Sequence, residues 1–462
     1  MRNKKRLAKV LGFLLVLGIL FTAADKVLIV KYPDGIYSMQ RFYELEDDTV
    51  DVLFLGSSHA FESFNTAVLW DDYGIAAYVL GGEMQPTWNT YYYLKEALKT
   101  QSPELIVIEG YECWLETNTN KYPQQIKNTY GMKPSWNKLC AMAVSSDYQD
   151  VGFFFPLSQY ASRYHELTKA DFLPAKGDRR YEDWMGFGSN HAHLEFDTLK
   201  IETDETLPMA PKTERYYRMI LQLAQEAQIP IVVVVAPYPQ VGNDQICQFN
   251  TAEQIAESYG VPFWDYASDP AAIGLDFSLH AADHSHLNDI GNRIFTHVVA
   301  DRLKETFAID DHRGDPAYAS WERGAAYLDQ LDRVVALQRM TDLSDVCDEI
   351  GREHYDLFLL TSPKCTNAAA LLAPMRIERL NAGRTYLVSK DASEIILPDP
   401  SITYQDIYLR YHDDLVYSDR RRLSETYTVN DGAVKVIVYD TITDDIADVF
   451  SVYESDPTHV YR

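Results

Sequence analysis

Two short segments that lie far apart in the chain contain the residue types of a nucleophilic catalytic site. Ser58 lies in the sequence GSSH, directly after an apolar run, and Asp283 and His286 begin and end the sequence DHSH. A nucleophilic serine needs a base within hydrogen-bond reach, and the base needs an orienting group on its other nitrogen. A His with an Asp three residues before it can supply the base and its orienting group from one turn. Together the two segments predict a serine nucleophile served by a His–Asp pair.

Each segment alone also has a purely structural interpretation. A serine that follows a strand commonly caps the next helix. The second segment can be a polar loop in which Asn288 caps the helix that follows and Leu287 acts as a hydrophobic staple. The presence of both segments in one predicted domain favours catalysis over two unrelated caps.

The elements expected to position these segments form an α/β domain. Apolar runs of strand length alternate with helical stretches, which predicts a doubly wound parallel sheet in a flavodoxin-like, three-layer arrangement. Ligands bind outside the carboxyl ends of the strands in such sheets, and Ser58 lies just after the first strand. The predicted strands are Val50–Leu55, Ile75–Leu80, Leu105–Glu109, Ile231–Ala236 and Val261–Trp264, and the predicted helices are Thr66–Tyr73, Pro86–Leu98, Thr213–Gln228, Ala252–Tyr259 and Asn288–Leu303.

The GxS turn after the first strand, followed late in the same domain by DxxH, resembles the SGNH (GDSL-type) hydrolase superfamily over roughly residues 48–306. The resemblance implies that Ser58 is the nucleophile, His286 the base and Asp283 its orienting group. It also implies an oxyanion hole formed by the N–H groups of Ser58 and Gly81, which directly follows the second predicted strand. The sequence departs from the pattern twice. The first block reads GSS instead of GDS, and the third strand ends in IEGYE, without the Asn that usually completes the hole.

Within this superfamily, the sequence is most similar to the membrane-anchored, exported branch that assists O-acylation of cell-wall and surface polymers. The resemblance implies a serine esterase or O-acyltransferase acting on acyl esters, expected to be acetyl esters, of cell-surface polysaccharide. It further implies a multi-pass membrane O-acyltransferase as partner, and no cofactor. The missing Asn favours an alternative, a catalytically degenerate domain that binds polysaccharide or serves as a scaffold.

Charge is distributed unevenly along the chain. The 462 residues include 42 Lys and Arg against 68 Asp and Glu, which gives a formal net charge of −26. Residues 1–24 carry +5, which leaves −31 for the remainder. An acidic body of this kind argues against a nucleic-acid binder, which needs a basic surface.

The basic N-terminus is followed by an uninterrupted run of apolar or small residues from Val10 to Ala24. As a helix this run spans about 22 Å, short of the ~30 Å hydrocarbon core of a bilayer. A cleaved signal peptide and an uncleaved anchor share this anatomy, and the poor cleavage site favours the anchor. Both would export the rest of the chain. We therefore expect residues 1–30 to form a signal anchor in the cell membrane, with the bulk of the chain extracytoplasmic.

Composition divides the rest of the chain into two domains. An SGNH-like domain is expected at residues 31–308, with an insertion at about 115–210 that is rich in Tyr, Trp, Asn and Lys. A polar stretch with Gly and Pro at residues 309–320 indicates a boundary. Residues 321–462 are predicted to form a small α/β domain, and no spacing within it points to a site.

A zinc site is a further hypothesis for the second segment. The five Cys residues are far apart and form no CxxC pair, so any such site would depend on His and Asp. It would leave Ser58 without a role, and no metal is predicted. The residues of suitable type are His280, Asp283, His284 and His286, with an HxH sequence at His191 and His193.

A few other residues have types that suit a site, each with a structural alternative. His59 directly follows Ser58, so its side chain is expected to point away and to serve as a supporting or capping group. Acidic and thiol groups at the end of the third strand could line the site or lie at the surface. Four indoles near the second block and the insertion could stack on sugar rings or belong to the core. These residues are Glu109, Glu112, Cys113, Trp88, Trp114, Trp136 and Trp184.

Overall fold

The computed structural model describes residues 2–29, 33–114, 122–145, 157–167, 169–172, 184–351, 354–375, 377, 380–389, 392–396, 401–404, 407–411, 414–418, 425–443 and 445–462. The chain divides into two compact units, and it passes from the first to the second between Ala326 and Tyr327. This point lies within one helix, whereas the change in composition lies earlier, at residues 309–320. The first part of that helix belongs to the first unit, where the indole N–H of Trp321 donates to Ala77 O at 2.9 Å.

The first unit is built on a five-stranded parallel sheet with the strand order β2-β1-β3-β4-β5. Every residue of the first four strands is buried, because helices cover both faces of the sheet. The predicted doubly wound parallel sheet is thus confirmed. The order reverses direction between β1 and β3, which is where ligands bind in sheets of this topology. The strands are β1 (Val52–Gly56), β2 (Ala77–Gly81), β3 (Leu105–Glu109), β4 (Ile231–Val235) and β5 (Phe263–Asp265).

Local signals in the sequence set the helix ends of this unit. The Asn65 side chain accepts hydrogen bonds from two N–H groups of the first turn of α4, and Gly74, at φ +69°, ends that helix. Asn288 caps α12 through Gly291 N at 2.9 Å. The helices of the first unit are α1 (Arg2–Leu28), α2 (Ser38–Phe42), α3 (Ser58–Ser63), α4 (Thr66–Tyr73), α5 (Thr87–Ala97), α6 (Tyr122–Tyr130), α7 (Trp136–Ser145), α8 (Leu157–Tyr160), α9 (Pro211–Ala227), α10 (Asn243–Ser258), α11 (Phe277–His280) and α12 (Asp289–Thr306), followed by α13 (Ala319–Arg339), which leads into the second unit.

The core of the first unit packs helices against both faces of the sheet. Alternate residues of the strands, such as Phe54, pack against α4 through Leu69 and against α12 through Phe295 and Val299. On the other side of the sheet, α5 contacts β1 and packs against α9. The carboxyl ends of β1, β2 and β3 are therefore held between two helical layers.

The predicted insertion contains α6, α7 and α8, and then an extended segment that leads to α9. Residues 115–121, 146–156 and 173–183 of this region lie outside the described residues. The extended segment runs beside α11 and the start of the loop that carries Asp283 and His286. Leu194 N donates to Ala281 O at 3.1 Å, and Phe196 N donates to Phe277 O at 3.1 Å. Part of the insertion thus borders the ends of the strands.

The N-terminal helix α1 contains the stretch Lys9–Leu28, which has a mean hydropathy of 2.0 and is long and apolar enough to cross a membrane. The helix is longer than the apolar run alone because it continues through Asp25 and Lys26. Anchors and signal sequences share this length and composition. The Asp25 carboxylate accepts a hydrogen bond from the hydroxyl of Tyr130 in α6, so the end of α1 packs against the insertion.

The second unit contains both helices and strands, as predicted, and its strands pair antiparallel throughout. A six-stranded sheet has the order β15-β14-β13-β6-β7-β8, and a four-stranded sheet the order β12-β11-β10-β9. Val346 of α14 packs on the larger sheet against Val436 and Phe450. The elements are α14 (Leu343–Ile350), β6 (Tyr355–Thr361), α15 (Ala368–Leu371), β7 (Thr385–Ser389), β8 (Ala392–Ile396), β9 (Ser401–Tyr404), β10 (Ile407–Tyr411), β11 (Asp414–Ser418), β12 (Glu425–Thr428), β13 (Ala433–Asp440), β14 (Asp445–Tyr453) and β15 (Asp456–Tyr461).

Candidate active site

Ser58 is positioned by a sharp turn between β1 and α3. Gly56 ends the strand, and a Cβ atom there would lie only 2.8 Å from the Cβ of Glu109, so the close approach of β3 requires glycine. Ser57 caps α3 by accepting a hydrogen bond from His59 N at 3.3 Å. The predicted cap therefore exists, but Ser57 supplies it. Ser58 is the first residue of the helix, and its hydroxyl is left for other partners.

The loop that carries Asp283 and His286 is held closed at both of its ends. Ala281 and Leu287 pair as an isolated antiparallel bridge. Within the loop, Asp283 Oδ1 accepts the backbone N–H groups of Ser285 at 2.7 Å and His286 at 3.0 Å. These bonds place the carboxylate and the imidazole of one short loop side by side.

The structure brings Ser58, His286 and Asp283 into one hydrogen-bonded line. Ser58 Oγ lies 2.8 Å from His286 Nε2, and His286 Nδ1 lies 3.0 Å from each carboxylate oxygen of Asp283. With Nδ1 donating to the carboxylate, Nε2 is the acceptor for the serine hydroxyl. In this arrangement the imidazole can take a proton from Ser58 while the carboxylate stabilises the imidazolium that forms.

The protonation states of the pair suit this role. Burial raises the pKa of Asp283, but its hydrogen bonds from His286 and Ser285 N outweigh burial and bring the pKa to about 2. Burial by itself lowers the pKa of His286. Its hydrogen bond to Asp283 and the charge of Glu62 act in the opposite direction and leave that pKa above its ordinary 6.5. Asp283 is therefore an anion throughout the physiological range, and His286 is a base of increased strength.

Glu62 is a second carboxylate beside the imidazole, and the sequence analysis missed it. Its Oε1 lies 3.9 Å from His286 Nε2, and its Oε2 accepts a hydrogen bond from Asn190 Nδ2 at 2.9 Å. Burial raises the pKa of Glu62, which the imidazole and Asn190 partly offset. The available signal was spacing, because Glu62 follows Ser58 by four residues in α3, and residues so spaced share one face of a helix.

We expect Glu62→Gln to move the acid limb of the pH–rate profile to lower pH. The Glu62 anion stabilises imidazolium and so raises the pKa of His286. Its removal takes away that stabilisation and lowers the pKa of His286. Because only neutral His286 can act as base, more of the variant is active below neutral pH. The amide oxygen of Gln can still accept from Asn190, and an unmoved acid limb of kcat/KM would contradict the assignment.

His59 is a neutral supporting residue, as its position after Ser58 suggested. Its ring stacks on Tyr111 with centroids 3.7 Å apart, and Tyr238 meets it edge-on at 4.7 Å. Its Nε2 lies 3.4 Å from the hydroxyl of Ser285, within the loop of the base. Burial and the neighbouring His286 push the pKa of His59 well below 6.5. It thus packs the loop that carries Asp283 and His286 against the end of β3 without carrying charge.

Gly81, the predicted oxyanion donor, lies at the end of β2 opposite Gly56. A Cβ atom on Gly81 would lie 3.1 Å from Ser57 O, so its backbone abuts the turn that carries Ser58. The next N–H, that of Gly82, already donates to Gly56 O at 3.3 Å. The structure thus places Gly81 beside the turn that leads to Ser58, at the carboxyl edge of the sheet.

The end of β3 carries two buried acidic side chains where an Asn was expected. Glu109 Oε1 accepts the N–H groups of Tyr111 at 3.1 Å and Ala236 at 3.3 Å, which joins the ends of β3 and β4. Burial raises the pKa of Glu109 to about 8, so it is mostly neutral at pH 7. Glu112 is also buried and accepts the hydroxyl of Thr90 at 2.5 Å. Both residues therefore support the strand ends and are not surface residues.

The remaining candidates are distributed over different parts of the first unit. Trp88 is a buried core residue whose indole donates to Ser145 Oγ at 3.0 Å, and Trp136 is 77% exposed on α7. Trp114 packs beside Tyr111, and Trp184 lines a small cavity beside Phe61 at the edge of β2.

The zinc hypothesis receives no support from the described part of the second segment. His280 Nδ1 accepts the N–H of Asp276 at 3.0 Å, while both nitrogens of His286 face Asp283 and Ser58. Cys113 is fully buried, and burial raises the pKa of its thiol well above the usual value, which disfavours a thiolate nucleophile.

Comparison with known proteins gives distant structural similarities. No protein-family model matches the chain, and no curated protein matches it in sequence. Among solved structures, it is similar to a candidate acylhydrolase from Bacteroides fragilis, with 12% identity, a TM-score of 0.30, and coverage of 58% of this chain and 94% of the other. It is also similar to a GDSL-like lipase from Bacteroides thetaiotaomicron, with 11% identity, a TM-score of 0.27, and coverage of 55% of this chain and 88% of the other. A third similar structure is an acetyl xylan esterase, with 14% identity, a TM-score of 0.26, and coverage of 55% of this chain and 98% of the other.

Proposed function

We propose that the chain is an SGNH-type serine esterase or O-acyltransferase that uses Ser58, His286 and Asp283. The observation that carries this proposal is the 2.8 Å contact between Ser58 Oγ and His286 Nε2, with Asp283 on the other imidazole nitrogen. Two loops from opposite ends of the domain meet at this point. A serine that serves only as a helix cap has no need of a histidine whose tautomer is set by a carboxylate.

The proposed reaction passes through an acyl-enzyme. His286 Nε2 takes the proton of Ser58 as Oγ attacks the ester carbonyl, and the N–H groups of Ser58 and Gly81 stabilise the oxyanion. The imidazolium then protonates the leaving alcohol as the ester C–O bond breaks. Deacylation repeats these steps, with His286 removing a proton from water or from an acceptor hydroxyl, which takes the acyl group and regenerates Ser58.

The oxyanion hole is the weakest part of this site. One donor of an oxyanion hole contributes on the order of 10²–10³ in rate, and Glu109 and Glu112 stand where the family has its Asn. We therefore expect slower turnover than in an enzyme with all three donors. The same departure favours the second candidate function, a degenerate domain that binds polysaccharide or serves as a scaffold.

We further propose that the site works outside the cytoplasm, on acyl esters of cell-surface polysaccharide, beside a multi-pass membrane O-acyltransferase. The support for anchoring is the tertiary contact at the end of α1. Tyr130 donates to the carboxylate of Asp25, and Arg163 donates to Leu28 O. A signal peptide that is removed has no need of partners in the folded domain, whereas an anchor that holds the site near the bilayer does.

The catalytic proposal is tested by active-site labelling of the full-length protein in lipid nanodiscs. A fluorophosphonate probe should label the wild type once per chain, and mass spectrometry should place the adduct on Ser58. The matched control is Ser258→Ala, because Ser258 is exposed on α10 and its hydroxyl donates to the nearby Ile255 O at 2.6 Å. Labelling should survive in Ser258→Ala and vanish in Ser58→Ala. Absence of labelling in the wild type would favour the scaffold function.

The anchoring proposal predicts that the mature protein retains α1. After expression in a bacterial host, the protein should stay in the membrane pellet after alkaline carbonate extraction. Its intact mass should include the residues before Ala24. A soluble product whose first residue follows Ala24 would show that the segment is a cleaved signal peptide.

A further inference from the structure

A narrow gap separates the carboxylate of Glu62 from the imidazole of His286. Glu62 Oε1 lies 3.9 Å from His286 Nε2, which is too long for a direct hydrogen bond. Two hydrogen bonds of about 2.8 Å that meet at one oxygen atom span this distance. The side chains of Glu62 and His286 are 15% and 18% exposed, so the gap is not sealed from solvent. A hydroxyl group that approaches Nε2 therefore also meets an acceptor on Glu62.

The Glu62 carboxylate is held in this orientation by Asn190. Asn190 Nδ2 donates to Glu62 Oε2 at 2.9 Å, while Asn190 Oδ1 accepts the N–H of Ala192 at 3.2 Å. These two bonds agree on which end of the amide faces Glu62, since only the Nδ2 end can donate. The backbone of Asn190 is held as well, because its carbonyl accepts the N–H of Asp289 at 2.9 Å. Oε2 is thus engaged, and Oε1 is the carboxylate oxygen that faces the imidazole.

The gap lies beside the proposed nucleophile. Glu62 follows Ser58 by about one turn of α3, so the two side chains project from the same face of the helix. His286 Nε2 faces both, at 2.8 Å from Ser58 Oγ and 3.9 Å from Glu62 Oε1. Once Ser58 carries an acyl group, its Oγ has no proton to donate to Nε2. The group that takes over the acyl group must approach the same nitrogen, and Glu62 is then within its reach.

The number of hydroxyl groups on the acceptor decides whether it can use Glu62. Every acceptor gives one O–H proton to His286 as it attacks the acyl carbonyl. Water has a second O–H bond, and a sugar with adjacent free hydroxyls has one on the neighbouring carbon. Either can donate a hydrogen bond to the Glu62 anion. A monohydric alcohol has no second donor, so it engages His286 and leaves Glu62 without a hydrogen bond.

We infer that Glu62 is a catalytic residue of deacylation, which accepts a hydrogen bond from the second hydroxyl of the acceptor and so favours water and vicinal diols. The inference rests on the proposed function and makes its acceptor more specific, because transfer would then require a carbohydrate with adjacent free hydroxyls. The attacking oxygen bonds to the acyl carbon, its proton goes to His286 Nε2, and the bond from the acyl carbon to Ser58 Oγ breaks. The imidazolium returns the proton to Oγ, while Glu62 holds the second hydroxyl and takes no proton.

The inference is tested by partition of the acyl-enzyme, with the full-length protein in lipid nanodiscs. p-Nitrophenyl acetate acylates Ser58 in water that contains methanol or ethylene glycol. Release of nitrophenol counts all turnovers, and acetic acid, methyl acetate and glycol monoacetate count the three routes. These ratios compare acceptors on one acyl-enzyme at one pH. Neither the rate of acylation nor the fraction of neutral His286 therefore changes them.

Glu62→Gln should lower hydrolysis and glycol transfer, each relative to methanol transfer, by about tenfold, the typical effect of one hydrogen bond to a charged group. The donor Asn190 Nδ2 should hold the Gln oxygen on its own side, so the amide N–H₂ faces His286 and cannot accept. The fluorophosphonate probe should still label Ser58, because acylation does not use this contact. Asn190→Ala frees Oε2 and should lower the same two ratios by a smaller factor.

The matched control is Glu257→Gln, the same substitution at an exposed position of α10. It should leave all ratios at their wild-type values. Unchanged ratios in Glu62→Gln would overturn the acceptor role and leave the catalytic proposal standing. If Glu62→Gln does not fold, unchanged ratios in Asn190→Ala would do the same. Absence of turnover in the wild type, together with absence of labelling at Ser58, would overturn both.

Discussion

Ser58→Ala is expected to lower kcat for ester hydrolysis by at least about 10⁴-fold and to abolish the acyl-enzyme. The Oγ atom is the group that forms the covalent bond, and residual rate in such variants comes only from the remaining binding and oxyanion groups. Steady-state hydrolysis of an activated ester by full-length protein measures the loss. A thermal melt should show that the fold survives, because the change removes one hydroxyl.

The control for this prediction is again Ser258→Ala, which should retain full rate. A Ser58→Ala variant with more than a tenth of the wild-type rate would contradict the assignment of Ser58 as nucleophile. In cells the same variant separates the two candidate functions. Loss of polymer acylation in Ser58→Ala supports catalysis, whereas normal acylation supports the scaffold.

Asp283→Asn should lower kcat by about 10³–10⁴-fold with little change in stability. The Asn oxygen can still accept the N–H groups of Ser285 and His286, which now bind Asp283 Oδ1 at 2.7 and 3.0 Å. The loop should therefore keep its shape. The carboxamide can, however, donate to Nδ1, which places the imidazole proton on Nε2. A protonated Nε2 cannot accept the proton of Ser58.

The pH dependence distinguishes this effect from a general loss of structure. Because the pKa of Asp283 is about 2, the residue is ionised over the whole working range, and its loss should slow the reaction at every pH from 5 to 9. The acid limb in the wild type should lie above pH 6.5, since the pKa of His286 is raised, and it should move down in Asp283→Asn as the anion is removed. An Asp283→Asn rate within tenfold of the wild type would contradict the proposed role.

Features that depend on neighbouring residues along the chain were predictable from the order of the amino acids. The buried strand runs, the Asn65 cap and the Gly74 stop of α4 follow from local hydrophobic pattern and side-chain bonding, so the parallel sheet was predictable. Strand alternation also placed Ser58 at the carboxyl edge. The late Asp283–His286 pair was recognisable because the two residues act from one turn.

Features that depend on which distant segments meet were not predictable in this way. The 3.9 Å approach of Glu62 to His286 and the burial of Glu109 follow from how the loops pack. The sequence alone left Glu109 open between a place in the site and a place at the surface. The antiparallel pairing in the second unit also depends on distant segments, as where β6 pairs with β13. The cavity beside Phe61 exists because residues 184–188 return to the edge of β2. Contacts of this kind depend on the path of the whole chain, which local propensity and spacing do not encode.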